Sequence, residues 1–137
     1  MYIMCFRKST VNNGYEWELV RFCNKLNTNV IGGFNLCVEY FRKNICKNSI
    51  LMNIDRKMFD KDEFNGSGFE FKEYTKPDFF YYRHGYDSEL HSRFEYNINK
   101  IRQMIPNYNN EITEYENMDK NGYYRIWDCG KIRMVID

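Results

Sequence analysis

Not one of the 137 residues is alanine. Alanine is the strongest helix former and among the commonest residues of soluble domains, so folding physics does not remove it. Asn, Lys, Ile, Tyr and Phe, the residues that AT-rich codons specify, take its place. The absence points to an AT-rich coding genome, that of a bacterium, one of its phages or a large DNA virus. It carries no information about activity.

Other absences narrow the function classes. Lys and Arg number 20 against 19 Asp and Glu, a net charge of +1. A protein that binds nucleic acid by neutralising phosphates carries a basic excess or stripe, and a nucleic-acid mimic is strongly acidic. The chain taken whole is neither. No stretch of about 18 apolar residues occurs, so there is no candidate membrane-spanning helix and no membrane partner is expected. Residues 1–6 form a short apolar run closed by Arg7 and Lys8, which reads as a first strand rather than a secretory leader. The five cysteines, Cys5, Cys23, Cys37, Cys46 and Cys129, are odd in number. None pairs as CxxC, and zinc sites need clustered ligands. They read as reduced thiols of an intracellular, cytoplasmic protein, with no disulfide, metal or cofactor.

What is present suits a folded chain: hydrophobic residues make 43% and charged residues 28%. The length is that of one domain with one core. Apolar residues in residues 2–8 predict a first strand. Leu19, Phe22, Cys23 and Leu26, spaced i, i+3, i+4, i+7, predict a helix over 15–27. Gly32-Gly33 breaks the chain. Phe34, Cys37, Val38, Phe41 and Ile45 then predict a helix over 34–46. A strand follows at 49–54, a polar loop runs to Gly68, and aromatic strands are predicted at 69–75 and 78–83. Leu90, Phe94, Ile98, Ile101 and Ile105 form a stripe that predicts a helix over 87–105, N-capped by Asp87 and stopped by Pro106. A shorter helix over 111–120 ends at Asn121-Gly122. Residues 123–127 and 131–136 predict a closing hairpin. Its loop Asp128-Cys129-Gly130 would set Ile126 opposite Ile132 and Tyr124 opposite Met134. The expected fold is a single α+β domain over 1–137, with a mainly antiparallel sheet of about five or six strands, three or four helices and a C-terminal β-hairpin.

Three motifs bear on chemistry. Arg83-His84-Gly85 resembles the Arg-His-Gly signature of the histidine phosphatases, in which the imidazole is phosphorylated in a pocket lined by Arg and helix N-terminal amides. The resemblance covers three residues, and here the triplet is central where the family's signature opens the chain. It implies a small nuclease or phosphohydrolase centred on Arg83, His84 and His91. Residues 68–74 resemble the aromatic spacing of the RNA-recognition motif, whose rings stack on bases. Glu70 stands where a small residue belongs, and Lys72 replaces an aliphatic one. This implies a module for RNA or single-stranded nucleic acid. Residues 60–66 have the acidity of a calcium loop, but Phe64 and Asn65 occupy positions that need a ligand and a glycine. They read as a solvated loop.

Aromatics reach 18% of the chain. Tyr, Trp, Phe and Arg are the usual anchors of protein interfaces. With no catalytic constellation in view, the expected function is non-enzymatic. The chain reads as a viral or phage accessory protein that binds and inhibits a host protein such as a defence component. The candidate protein-binding residues are Tyr81, Tyr82, Arg83, His84, Tyr86 and Trp127. Adjacent residues of a strand face opposite ways, so one of Tyr81 and Tyr82 joins the core and the other meets solvent or a partner.

Overall fold

The computed structural model describes residues 1–10, 14–83, 85 and 89–137. The fold class is α+β. The chain divides into two compact units, one made of Met1–Lys76 and Cys129–Asp137, the other of Pro77–Asp128. The second is inserted in the first, and each has its own buried cluster, where the length suggested one core.

The first unit is a five-stranded mixed sheet. Its strands are β1 (Tyr2–Lys8), β2 (Trp17–Asn24), β3 (Ile50–Asp55), β4 (Glu70–Tyr74) and, closing the chain, β8 (Lys131–Ile136), in the order β1-β2-β3-β8-β4. Only β2 and β3 run parallel. They are joined through α1 (Gly33–Asn44), as a parallel pair requires a crossover. α1 follows its apolar stripe: Val38 and Phe41 are buried, and the Phe41 ring stacks on Phe6 with centroids 3.7 Å apart. The helix begins tight against β1, since a β-carbon at Gly33 would lie 3.0 Å from the Tyr2 ring. The core sets Phe22, Phe34 and Phe64 edge to face, with Phe59 tilted against Phe22 and Phe64, beneath aliphatic residues of β3 and β8.

The predicted helix over 15–27 is instead strand β2. The reason is a β-bulge. Cys5 pairs with Arg21 and Phe6 with Leu19, which leaves Val20 as an extra residue. A bulge returns side chains three apart to the same face. Leu19 and Phe22 therefore both reach the core at a spacing that mimics a helix. The other members of the apparent stripe, Cys23 and Leu26, are exposed.

The second unit holds β5 (Phe79–Arg83), β6 (His91–Ser92) and β7 (Tyr123–Trp127) in an antiparallel sheet of order β6-β5-β7. With it go α2 (Ile98–Met104) and α3 (Glu114–Lys120). Its buried cluster comprises Tyr81, Tyr96, Ile101, Ile105, Met118 and Tyr123. The predicted helix over 87–105 is reduced to α2. Asn97 caps that helix by accepting from the Lys100 amide at 3.0 Å, and His91 and Ser92 pair with β5. Ile101 and Ile105 are buried as expected. Leu90 is exposed, and Phe94 is 74% exposed with Arg93 over its ring. The predicted cap, Asp87, lies outside the described residues.

The closing hairpin is not formed. β7 pairs with β5, and β8 pairs with β3 and β4. Composition overrode proximity. The aliphatic β8 aligns Ile132, Met134 and Ile136 with Ile54, Met52 and Ile50, while the aromatic β7 aligns Trp127 and Tyr124 with Phe79 and Tyr82. Residues 128–130 thus carry the chain from one unit to the other.

Candidate docking surface on the three-stranded sheet

Cross-strand partners share a face, so the register of β5 and β7 sorts their side chains. Phe79, Tyr81 and Arg83 lie on one face with Trp127, Arg125 and Tyr123. Phe80 and Tyr82 lie on the other with Ile126 and Tyr124. The first face packs on the helices. Tyr81 is fully buried, and its ring meets those of Phe79 and Tyr96 at 5.3 and 5.7 Å.

A buried tyrosine needs a partner for its hydroxyl. Tyr81 Oη donates to Glu114 Oε1 at 2.7 Å and accepts from Arg125 Nη2 at 3.0 Å. Burial, and then the Glu114 acceptor, hold the phenol above its ordinary pKa, so it stays protonated. Arg125 is fixed from several sides. Its guanidinium lies 4.3 Å from the Phe79 ring centre and 4.7 Å from that of Tyr115, and 3.9 Å from Glu114. The capping box of α3 places Glu114 and Tyr115: Thr113 Oγ1 accepts from the Glu116 amide, and Glu116 accepts from the Thr113 amide at 2.8 Å.

β7 is the outer strand of its sheet, and α3 packs beside it. Between them lies a recess of about 290 Å³ lined by Tyr115, Asp119, Tyr124, Arg125 and Trp127. Its rings are open to solvent: Tyr115 is 46% exposed, Tyr124 53% and Trp127 57%. Ile126, beside Tyr124, is also exposed. The recess thus gathers exposed rings at the edge of β7: Tyr115 lies over the fixed Arg125 guanidinium, Trp127 shares the face of Arg125, and Tyr124 reaches the recess from the other face of the sheet.

Of the residues the sequence singled out, Trp127 belongs to this surface. Tyr81 belongs to the core beneath it and cannot touch a partner. Tyr82 is half-buried on the face it shares with Tyr124, and Arg83 is half-buried with its guanidinium 5.0 Å from the Tyr123 ring centre. His84 and Tyr86 lie outside the described residues. Sequence reasoning missed Tyr115, Tyr124 and Arg125. Tyr124 and Ile126 alternate along β7, a pattern that would have marked one solvent-facing apolar side. The assumed hairpin directed them to a core instead.

The other candidate chemistries sit elsewhere. His91 Nδ1 lies 3.2 Å from Glu95 Oε2, and its ring packs edge-on against Tyr96. The contact with His91 is the main cause that holds the Glu95 carboxyl below its usual pKa. Among the described residues, no group of three or more His, Cys, Asp or Glu is placed to hold a metal ion. On β4, a bulge at Lys72 brings Phe71 and Tyr74 to one side with ring centres 4.9 Å apart. Both rings are partly exposed, but Arg56 lies over Tyr74 at 4.4 Å and Lys61 over Phe71 at 5.4 Å. One face of each ring is thereby taken. Among the described residues, no helix is long and apolar enough to cross a membrane.

Comparison with protein-family models, with curated proteins and with solved structures gives no match.

Proposed function

We propose that this chain is a non-enzymatic protein-binding module, and that it docks on its partner through the recess between α3 and β7. The observation that carries this reading is the exposed set Tyr115, Tyr124 and Trp127 lining one recess with the immobilised Arg125. Interface anchors are enriched in these residue types, and a side chain already ordered loses less entropy on binding.

Charge separates this reading from nucleic-acid binding. The near-neutral total hides an asymmetry. Residues 77–128 hold 6 basic and 9 acidic residues, a net charge of −3, and the rest of the chain holds 14 basic and 10 acidic, a net charge of +4. The aromatic recess therefore sits on the acidic unit, which repels a phosphate backbone. For a viral or phage source, which the alanine-free composition allows, the partner is a host protein whose action the chain blocks.

Affinity capture from a lysate of the host cell, with and without nuclease, tests the class of partner. A protein recovered equally in both conditions fits the proposal. A partner lost on nuclease treatment would replace it with nucleic-acid binding.

A further inference from the structure

The basic unit carries a second feature that the docking surface does not use. A cavity of about 700 Å³ opens between one side of α1, from Asn35 to Lys43, with Lys47 just beyond it, and the loop Gly66-Ser67-Gly68. That is the size range of small-molecule sites. Its wall carries Arg42, Lys43 and Lys47 against a single acid, Glu39. Lys43 and Glu39 satisfy each other at 2.8 Å. Arg42 and Lys47 are left, and neither has an ion-pair partner among the described residues.

Arg42 is the informative residue. Its Nε is sealed from solvent without a hydrogen bond among the described residues, as is that of Arg125, so what it can offer a ligand lies in its Nη nitrogens. On the facing loop, Gly66 and Gly68 have φ of 78° and 87° on either side of Ser67. The Ser67 amide between them is used within the loop, donating to the Phe64 carbonyl at 3.1 Å. Ser67 spends its hydroxyl within the loop, donating to the Phe64 carbonyl at 2.6 Å and accepting from the Phe69 amide. The amides of Gly66 and Gly68 have no acceptor among the described residues. A β-carbon at Gly68 would lie 3.9 Å from Arg42 Nη1, so loop and guanidinium adjoin.

We infer that this cavity binds the phosphate group of a small ligand, with Arg42 and Lys47 supplying charge and the loop amides supplying neutral donors. Guanidinium geometry matches phosphate oxygens in pairs. Among the described residues the lining contains no aromatic ring, so the recognised part is the phosphate itself rather than a base stacked beside it. The rival role for these cations is to complement the carbonyl end of α1. That role requires neither the cavity nor the unbonded amides, and it predicts no ligand.

The test is a titration of the full chain with inorganic phosphate at constant ionic strength, followed by amide NMR. The expected result is saturable movement of the Gly66 and Gly68 amide signals. Arg42→Gln should weaken the midpoint at least tenfold, and Lys120→Gln, in the other unit, should leave it unchanged. If Arg42→Gln does not fold, Lys47→Gln, an exposed position, replaces it with an expected weakening of threefold or more. A parallel titration with adenosine monophosphate separates the sources: tighter binding than phosphate identifies a phosphomonoester, and equal binding identifies the phosphate group alone. Unsaturable drift, movement spread over every lysine-rich surface, or equal midpoints for wild type and the folded variant would overturn the site.

Discussion

At the residue scale, polar groups inside the acidic unit do the most specific structural work. Asn117 is buried, and its amide is fully used. Nδ2 donates to the carbonyls of Asn109 at 2.8 Å and Thr113 at 3.1 Å, and Oδ1 accepts from the Asn109 amide at 2.9 Å. One side chain thereby ties the loop before α3 to the helix. Asn117→Ala strands those backbone groups, and chemical denaturation should show a loss of about 1–3 kcal/mol. An unchanged midpoint would mean that water replaces the amide. Tyr81→Phe is a smaller change of the same kind. It removes the hydroxyl between Glu114 and Arg125, and the expected loss is about 1 kcal/mol, with the recess less ordered. A Tyr81→Phe protein as stable as the wild type would show that Arg125 is held by its ring contacts alone.

At the scale of elements, bulges and caps decide what the apolar pattern means. Deleting Val20 removes the bulge and leaves Leu19 and Phe22 two apart on one face of a regular strand, so cooperative unfolding of the first unit should be kept, whereas inserting a glycine after Val20 turns them to opposite faces and should abolish it. Val20→Ala, at an exposed position, should stay within about 0.5 kcal/mol of wild type. Equal effects of the deletion and the insertion would contradict the bulge as the device that sets register. In α3, Thr113→Ala should cost about 1 kcal/mol at neutral pH. Hydrogen bonds from the Thr113 amide and then its hydroxyl hold the Glu116 carboxyl below its usual pKa. A lowered folded-state pKa gives stability that is present above the unfolded value and lost as pH falls through the folded one. The gap between wild type and Thr113→Ala should therefore narrow in acid. A gap that widens below pH 4 would contradict the box.

The same devices explain what was legible in the sequence. α1 was readable because its stripe is uninterrupted and Gly32-Gly33 marks its start. β1, β3 and α3 were readable from short apolar or capped runs. β2 was not, because a one-residue insertion turns strand spacing into helix spacing. The helix over 87–105 was overextended because Asn97, an internal cap, counted as one more polar position in the stripe. At the site, Trp127 was recognised by residue type. Tyr115, Tyr124 and Arg125 come together only once β7 is paired with β5 and α3 is laid beside it, and no local pattern carries that information.

At the scale of the whole molecule, the chain distributes chemistry between its two units. One holds an aliphatic and phenylalanine core, a net charge of +4 and a basic cavity. The other holds a tyrosine-rich core, a net charge of −3 and an aromatic recess. The assumed terminal hairpin failed at this scale, because its two strands belong to different units. The central claim is that the recess between α3 and β7 is where this protein meets its partner. The most direct measurement compares Tyr124→Ala and Trp127→Ala with wild type, reading the affinity for the captured partner and the thermal midpoint of the free chain together. An interface anchor costs about 2 kcal/mol or more when truncated, so each change should weaken binding on the order of thirtyfold. The thermal midpoint should fall by only a few degrees, about what an exposed position costs. Unchanged affinity in both variants, or binding lost only in step with folding, would contradict the account.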